Sequence, residues 1–155
     1  MPSHHFHDFC ERLCECLGQR APELASGEAQ PPAFTVEVRG VPIGFMQANA
    51  TDEAHGVLMV DYGPLPPERQ GELLLSLMHA NFLMLGARAP AFGLDPASGH
   101  VVCHAGFAVS QADAARFAAS LAPLAEGVLR RREDASAPAG AAAPELDLAA
   151  LGRFA

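Results

Sequence analysis

The chain has 155 residues, 50% of them hydrophobic and 18% charged, which is enough apolar material for one domain with a core and too much for wholesale disorder. Ten basic residues, all of them Arg, stand against 18 acidic ones for a net charge of −8. That balance repels phosphate backbones and anionic bilayers, so neither nucleic acid nor membrane is the expected partner.

In chain order, Phe6, Phe9, Cys10, Leu13 and Leu17 recur at helical spacing and predict a first helix over residues 3–17, with Ser3 as N-cap and Gly18 as stop. The start MPSHHFHDFC has no uninterrupted apolar core or cleavage site and does not read as a secretory signal. Residues 19–33 read as an Ala/Pro/Gly linker. Residues 34–39 alternate apolar and polar and predict a half-buried strand, broken at Gly40. Residues 42–48 predict a second strand. Its Pro42 places it at a sheet edge, with Ile43 and Phe45 as edge-strand residues. Residues 49–56 read as a loop, and the nearly all-apolar residues 57–62 as a third, central strand. Three short strands in succession suggest an antiparallel meander.

Pro66 and Pro67 suit the first turn of a second helix. Its apolar run, residues 73–85, is interrupted by Ser76, His79 and Asn81 and is too short to span a bilayer. The apolar surface exceeds the single stripe a surface helix needs, which points to a partner inside the subunit and a second one outside it. Residues 91–94 and 100–109 form a hairpin around Asp95-Pro96 and Gly99. Ser110 is the expected cap of a third helix. Its stripe runs from Ala114 to Val128, Pro123 should kink or split it, and Arg130, Arg131 and Arg132 close it. From Glu133 the chain reads as an Ala/Pro-rich tail, giving a domain over residues 1–133 and a tail over 134–155 without fixed structure. Within the tail, Leu146, Leu148, Leu151 and Phe154 match a short amphipathic helix.

Catalytic and metal readings find little support in the sequence. His4, His5, His7, Cys10, Cys14 and Cys16 crowd one segment without the paired spacing of a zinc site, and Cys10 falls on the apolar stripe, so no metal and no cofactor is expected. Three of the four cysteines lying so close together make a poor disulfide framework, and reduced thiols in the cytoplasm are the simpler reading. Cys103 and His104 are adjacent on a strand and point to opposite faces, which bars a thiolate–imidazole pair between them. No nucleophile-elbow, zincin or phosphate-loop motif is present. What remains is surplus apolar surface on an acidic subunit, the profile of a module that binds extended polypeptide.

The stretches YGPLPPERQGELLLSLMHANF, APAFGLDPASGHVVCHAGF and DAARFAASLAPLAEGVLR resemble the class I chaperones of bacterial type III secretion, the Tir-chaperone-like family. The resemblance rests on Leu73, Leu74, Leu77 and Asn81 in the second helix, on the turn from Gly93 to Gly99, and on the Phe6-to-Gly18 pattern. It spans roughly residues 3–132.

The resemblance implies an α+β fold of order α-β-β-β-α-β-β-α with a mostly antiparallel twisted sheet, assembled as a homodimer. It also implies a cytoplasmic, non-enzymatic protein that holds the N-terminal segment of a secreted effector extended and delivers it to the secretion-apparatus ATPase. On this reading Phe6, Phe9 and Leu13 are shared between core and partner groove, with plain core as the open alternative. Ile43 and Phe45 pair with the partner, and Leu73, Leu77, Asn81 and Leu85 form the dimer interface. Two other classes stay open: a small cysteine- or metal-dependent enzyme built on Cys103, and a structural dimer regulated by its tail. The tail and the Pro-rich linker depart from the family pattern.

Overall fold

A computed structural model describes residues 4–21, 23–27, 30–49, 52–86, 88–109 and 112–135. The order is α1 (His4–Cys16), β1 (Ala25–Gly27), β2 (Gln30–Val38), β3 (Val41–Asn49), β4 (Asp52–Pro64), a 3-10 turn (Pro67–Arg69), α2 (Gln70–Leu83), β5 (Ala91–Leu94), β6 (His100–Ala108) and α3 (Ala114–Ala135). The strands form one antiparallel sheet in the order β1-β2-β3-β4-β6-β5.

The expected α+β order holds, with corrections where local composition misled. Part of the predicted linker forms β1 and the start of β2, including Pro31 and Pro32. Most of the predicted loop 49–56 is strand, because β4 begins at Asp52 and pairs through Gly56 with both β3 and β6. Strand β3 is not an edge. It lies between β2 and β4, with Ile43 and Phe45 paired on both sides. Pro42 is tolerated because the β3–β4 ladder starts one residue later, at Ile43↔Val60. The β2–β3 hairpin closes through Arg39 and Gly40 at φ 52° and 78°, the left-handed pair that a two-residue turn between right-twisted strands requires.

Helix α1 stops as predicted, with Gly18 at positive φ and the Gln19 N–H donating to the Cys14 carbonyl. Both expected caps, Ser3 and Ser110, lie outside the described residues. Asp113 caps α3, its Oδ1 accepting from the N–H groups of Ala115 and Arg116. Pro123 neither ends nor splits α3. The flanking Leu121 and Leu124 are fully buried, and that packing carries the helix across the lost hydrogen bond. The helix runs on to Ala135, through Glu133 and Asp134.

Helices α1 and α3 pack together over one face of the sheet. The core there is aromatic: Phe9 meets Phe45, Phe107 and Phe117, with ring centroids 6.2, 5.2 and 5.4 Å away, and Phe45 stacks on Phe34 at 5.2 Å. Such contacts add about 0.5–1.5 kcal/mol per pair beyond burial itself. Gly56 makes room for this cluster, since a β-carbon there would lie 2.3 Å from the Phe107 ring.

Candidate functional site

Strand alternation sorts the sheet into two unlike faces. Phe45, Leu58, Val60, Cys103, Ala105 and Phe107 point to the helices and are buried. Ala33, Thr35, Gly44, Met46, Val57 and Met59 point the other way, and none of them is buried. Across β2, β3 and β4 this second face holds a groove of about 410 Å³, lined by Ala33, Phe34, Thr35, Gly44, Phe45, Met46 and Met59, with Glu23 contributed by the segment before β1. Gly44 keeps its floor open. A β-carbon there would rest in ordinary contact with Met59, so the position has room for a side chain.

Beside the groove lies a backbone edge. Strand β1 pairs with β2 only as far as Ala33. Beyond it, the Glu37 carbonyl on that side accepts from Gln19 Nε2 at 2.6 Å. Alternate residues of a strand direct their backbone groups the same way, so the N–H and C=O of Thr35 also point to that side. The sheet's other edge, β5, is closed differently. Asn81 Oδ1 accepts from the Phe92 N–H at 2.7 Å, and Asn81 Nδ2 donates to the Phe92 carbonyl at 2.9 Å.

Helix α2 supplies a second apolar surface. Leu73, Leu77 and Ala80 turn inward, while Leu75, Met78 and Phe82, continued by Leu85, form an outward stripe at 54–77% exposure. The surplus apolar area expected of this helix is therefore present, but mostly on other residues than those named from sequence. Leu73 and Leu77 are buried within the subunit, and Asn81 binds its own β5; of the four expected dimer residues only Leu85 is exposed. The five expected partner residues, Phe6, Phe9, Leu13, Ile43 and Phe45, all lie in the core at 0–1% exposure. The signal that would have found the exposed stripe is the i, i+3, i+7 spacing of Leu75, Met78 and Phe82, which runs beside that of Leu73, Leu77 and Ala80.

The reactive groups are arranged for packing. Cys103 is buried and burial pushes its thiol up to about 12, while His104 sits on the opposite, exposed side of β6. Burial, and next the neighbouring Cys14, push the Cys10 thiol up as well. A thiol so held is no nucleophile at neutral pH. His7, Asp8 and Glu11 gather their side-chain ligand atoms within 4.8 Å on the solvent side of α1, where His7 and Glu11 are an ordinary i, i+4 pair at 3.7 Å.

The Arg run at the end of α3 does more than close a helix. Arg131 is buried, and Arg132 Nη2 donates to the Asp61 carbonyl at 2.8 Å, pinning α3 to the β4 bulge. Asp61 also meets His100 Nδ1 at 2.8 Å. Burial raises the Asp61 carboxyl, but the His100 hydrogen bond, the Gly63 N–H and the His100 and Arg132 charges outweigh it and leave it below the usual carboxylate range.

No helix among the described residues is long and apolar enough to cross a membrane. The model of the Tir chaperone protein (CesT) family matches residues 42–130, from β3 into α3. Two solved structures are similar in fold. One is a chain of the HopA1–SchA chaperone–effector complex, with TM-score 0.58 and 16% identity, covering 83% of this chain and 94% of that one. The other is a chain of the ExsC–ExsE complex, with TM-score 0.62 and 16% identity, covering 84% and 93%. No curated protein matches the sequence.

Proposed function

The chain belongs to the Tir chaperone protein (CesT) family, and from that premise we propose that it is a type III secretion chaperone which holds the N-terminal segment of a secreted effector in extended form before export. The carrying observation is the apolar groove across β2, β3 and β4 beside the open side of β2. An extended segment can pair its backbone with Thr35, and with Glu37 where it displaces the Gln19 amide, while alternate side chains enter the groove. The partner binds on the face opposite Phe6, Phe9, Leu13, Ile43 and Phe45, which position that face from within.

The protein works as a homodimer, with the outward stripe of α2 covered by a second copy through Leu75, Met78, Phe82 and Leu85. A solvent-facing apolar stripe on a helix already packed on its other side supports this, because burying it removes apolar area from water. The net charge of −8 keeps such a subunit soluble while it carries an aggregation-prone chain. It acts in the bacterial cytoplasm, has no enzymatic activity, and hands its cargo to the ATPase of the secretion apparatus.

Co-expression with a candidate effector, followed by light scattering, tests the proposal. The expected mass is two copies of this chain and one effector. Gly44→Leu, which fills the groove without entering the core, should lose the effector and keep the dimer. Phe82→Asp should break the dimer. A monomer that takes up no effector segment contradicts the reading.

A further inference from the structure

The charges around the groove are arranged with a polarity. Among the described residues Glu23 is the one charged residue lining it, and Glu37 stands two residues along β2 from Thr35 on the same, exposed side of the strand. Neither carboxylate has a hydrogen bond or ion pair among the described residues. Arg39, two residues after Glu37, is held by Glu126 of α3 at 2.7 Å. The far side of the same face is basic. Met46 pairs with Val57 and Val57 with Gly106, and Arg88 covers that glycine, its Cγ 3.3 Å from where a β-carbon would be. From β2 to β6 the face therefore runs from two unpaired carboxylates, across Gly44, Met46 and Met59, to a guanidinium side chain. In an added strand, side chains two apart share a face, and each stands about 4.5–5.5 Å from the residue opposite. A segment laid along β2 with one side chain over Thr35 and Gly44 thus brings its next side chain on that face to Glu37. An acidic residue there meets a like charge. An Arg or Lys supplies the missing partner, and its stem extends the apolar contact.

We propose that the groove selects extended segments in which an apolar residue has an Arg or Lys two positions away, the apolar side chain entering over Gly44 and the basic ones facing Glu37 and Glu23. This selection rests on the reading of the groove as the partner site and adds the class of segment that it takes. A subunit of net charge −8 attracts cations in general. At about 0.1 M salt, however, exposed charges are largely screened beyond roughly 10 Å. The preference at this spacing therefore belongs to the two carboxylates at the groove and not to the total charge.

Selection of a random dodecapeptide library, displayed on phage, against the full chain tests this. The retained peptides should carry Arg or Lys two positions from an apolar residue. One of them, synthesised with that basic residue changed to Gln, should bind roughly two- to fivefold more weakly. The Glu23→Lys/Glu37→Lys variant should retain peptides with Asp or Glu at the same spacing. The Glu11→Lys/Glu15→Lys variant, an equal change of charge on the exposed side of α1, should keep the preference for Arg and Lys. Peptides without a basic residue at that spacing overturn the proposal, as does a preference that the α1 variant shifts as much as the groove variant. If such peptides are still lost with Gly44→Leu, the groove stands as the partner site and only its charge selection falls. Peptides retained equally by Gly44→Leu bind elsewhere, and then the reading of the groove falls and the selection with it.

Discussion

The same three strands, β2 to β4, present two faces built on opposite rules. Toward α1 and α3 they carry Phe34, Phe45, Leu58 and Val60, interlocked with the rings of Phe9, Phe107 and Phe117. On the other side they carry Ala33, Thr35, Gly44, Met46 and Met59 around an open groove. Close-packed aromatic rings specify one arrangement, whereas methionines and small residues leave room for changing contents. The lesson is that rigidity on one side lets the other stay apolar and unfilled without the sheet collapsing.

The sharpest way to break this contrast is to empty the aromatic side. Phe9→Ala should cost about 3–5 kcal/mol, since the ring is fully buried against three others; urea denaturation would measure it, and a loss under 1 kcal/mol would mean that the cluster does not hold the sheet. Overfilling the same side comes next. Gly56→Ala drives a methyl into the Phe107 ring and should cost about 1–3 kcal/mol, read as a lowered midpoint of thermal unfolding.

At the sheet's end the effect is smaller and depends on pH. The folded Asp61 carboxyl lies below its ordinary 3.8, so its contribution is complete above that value and fades as pH falls through the folded one. The pair is partly solvated and contributes at most about 1 kcal/mol. Asp61→Asn should therefore be slightly less stable than the unaltered chain at neutral pH and converge with it in acid. A gap that widens in acid would contradict the assignment. The smallest stability effect belongs to the groove. Met59→Ser should change stability by less than about 0.5 kcal/mol while weakening effector capture in a pull-down. Unchanged capture would count against the groove.

Most of the architecture was legible in periodicity, because the core faces of α1, β3, β6 and α3 repeat apolar residues at 3.6 or 2. Turn chemistry was equally plain at Asp95–Gly99, where Asp95 accepts from the Ala97 N–H and the Ser98 hydroxyl and Gly99 takes φ 71°. The site was less legible, since apolar character says that a side chain is buried and not by what. Leu73 and Leu77 look the same in sequence as Leu75 and Met78. Only the side on which α2 meets β5 decides which pair faces out. Asn81 read as a polar residue in an interface, while it closes the edge of β5. Pro42 suggested an edge because strand order cannot be read from one strand. Asp52–Gly56 looked like a loop because its pairing with β3 and β6 is non-local.

Hydrogen–deuterium exchange of the chaperone with and without its bound effector segment tests the central claim most directly. The account predicts new protection of the Thr35 and Glu37 amides on the open side of β2, with little change at Val60 and Cys103, which are already paired in the sheet. Unchanged exchange at Thr35 and Glu37 in a saturated complex would show that the polypeptide is held elsewhere and contradict the account.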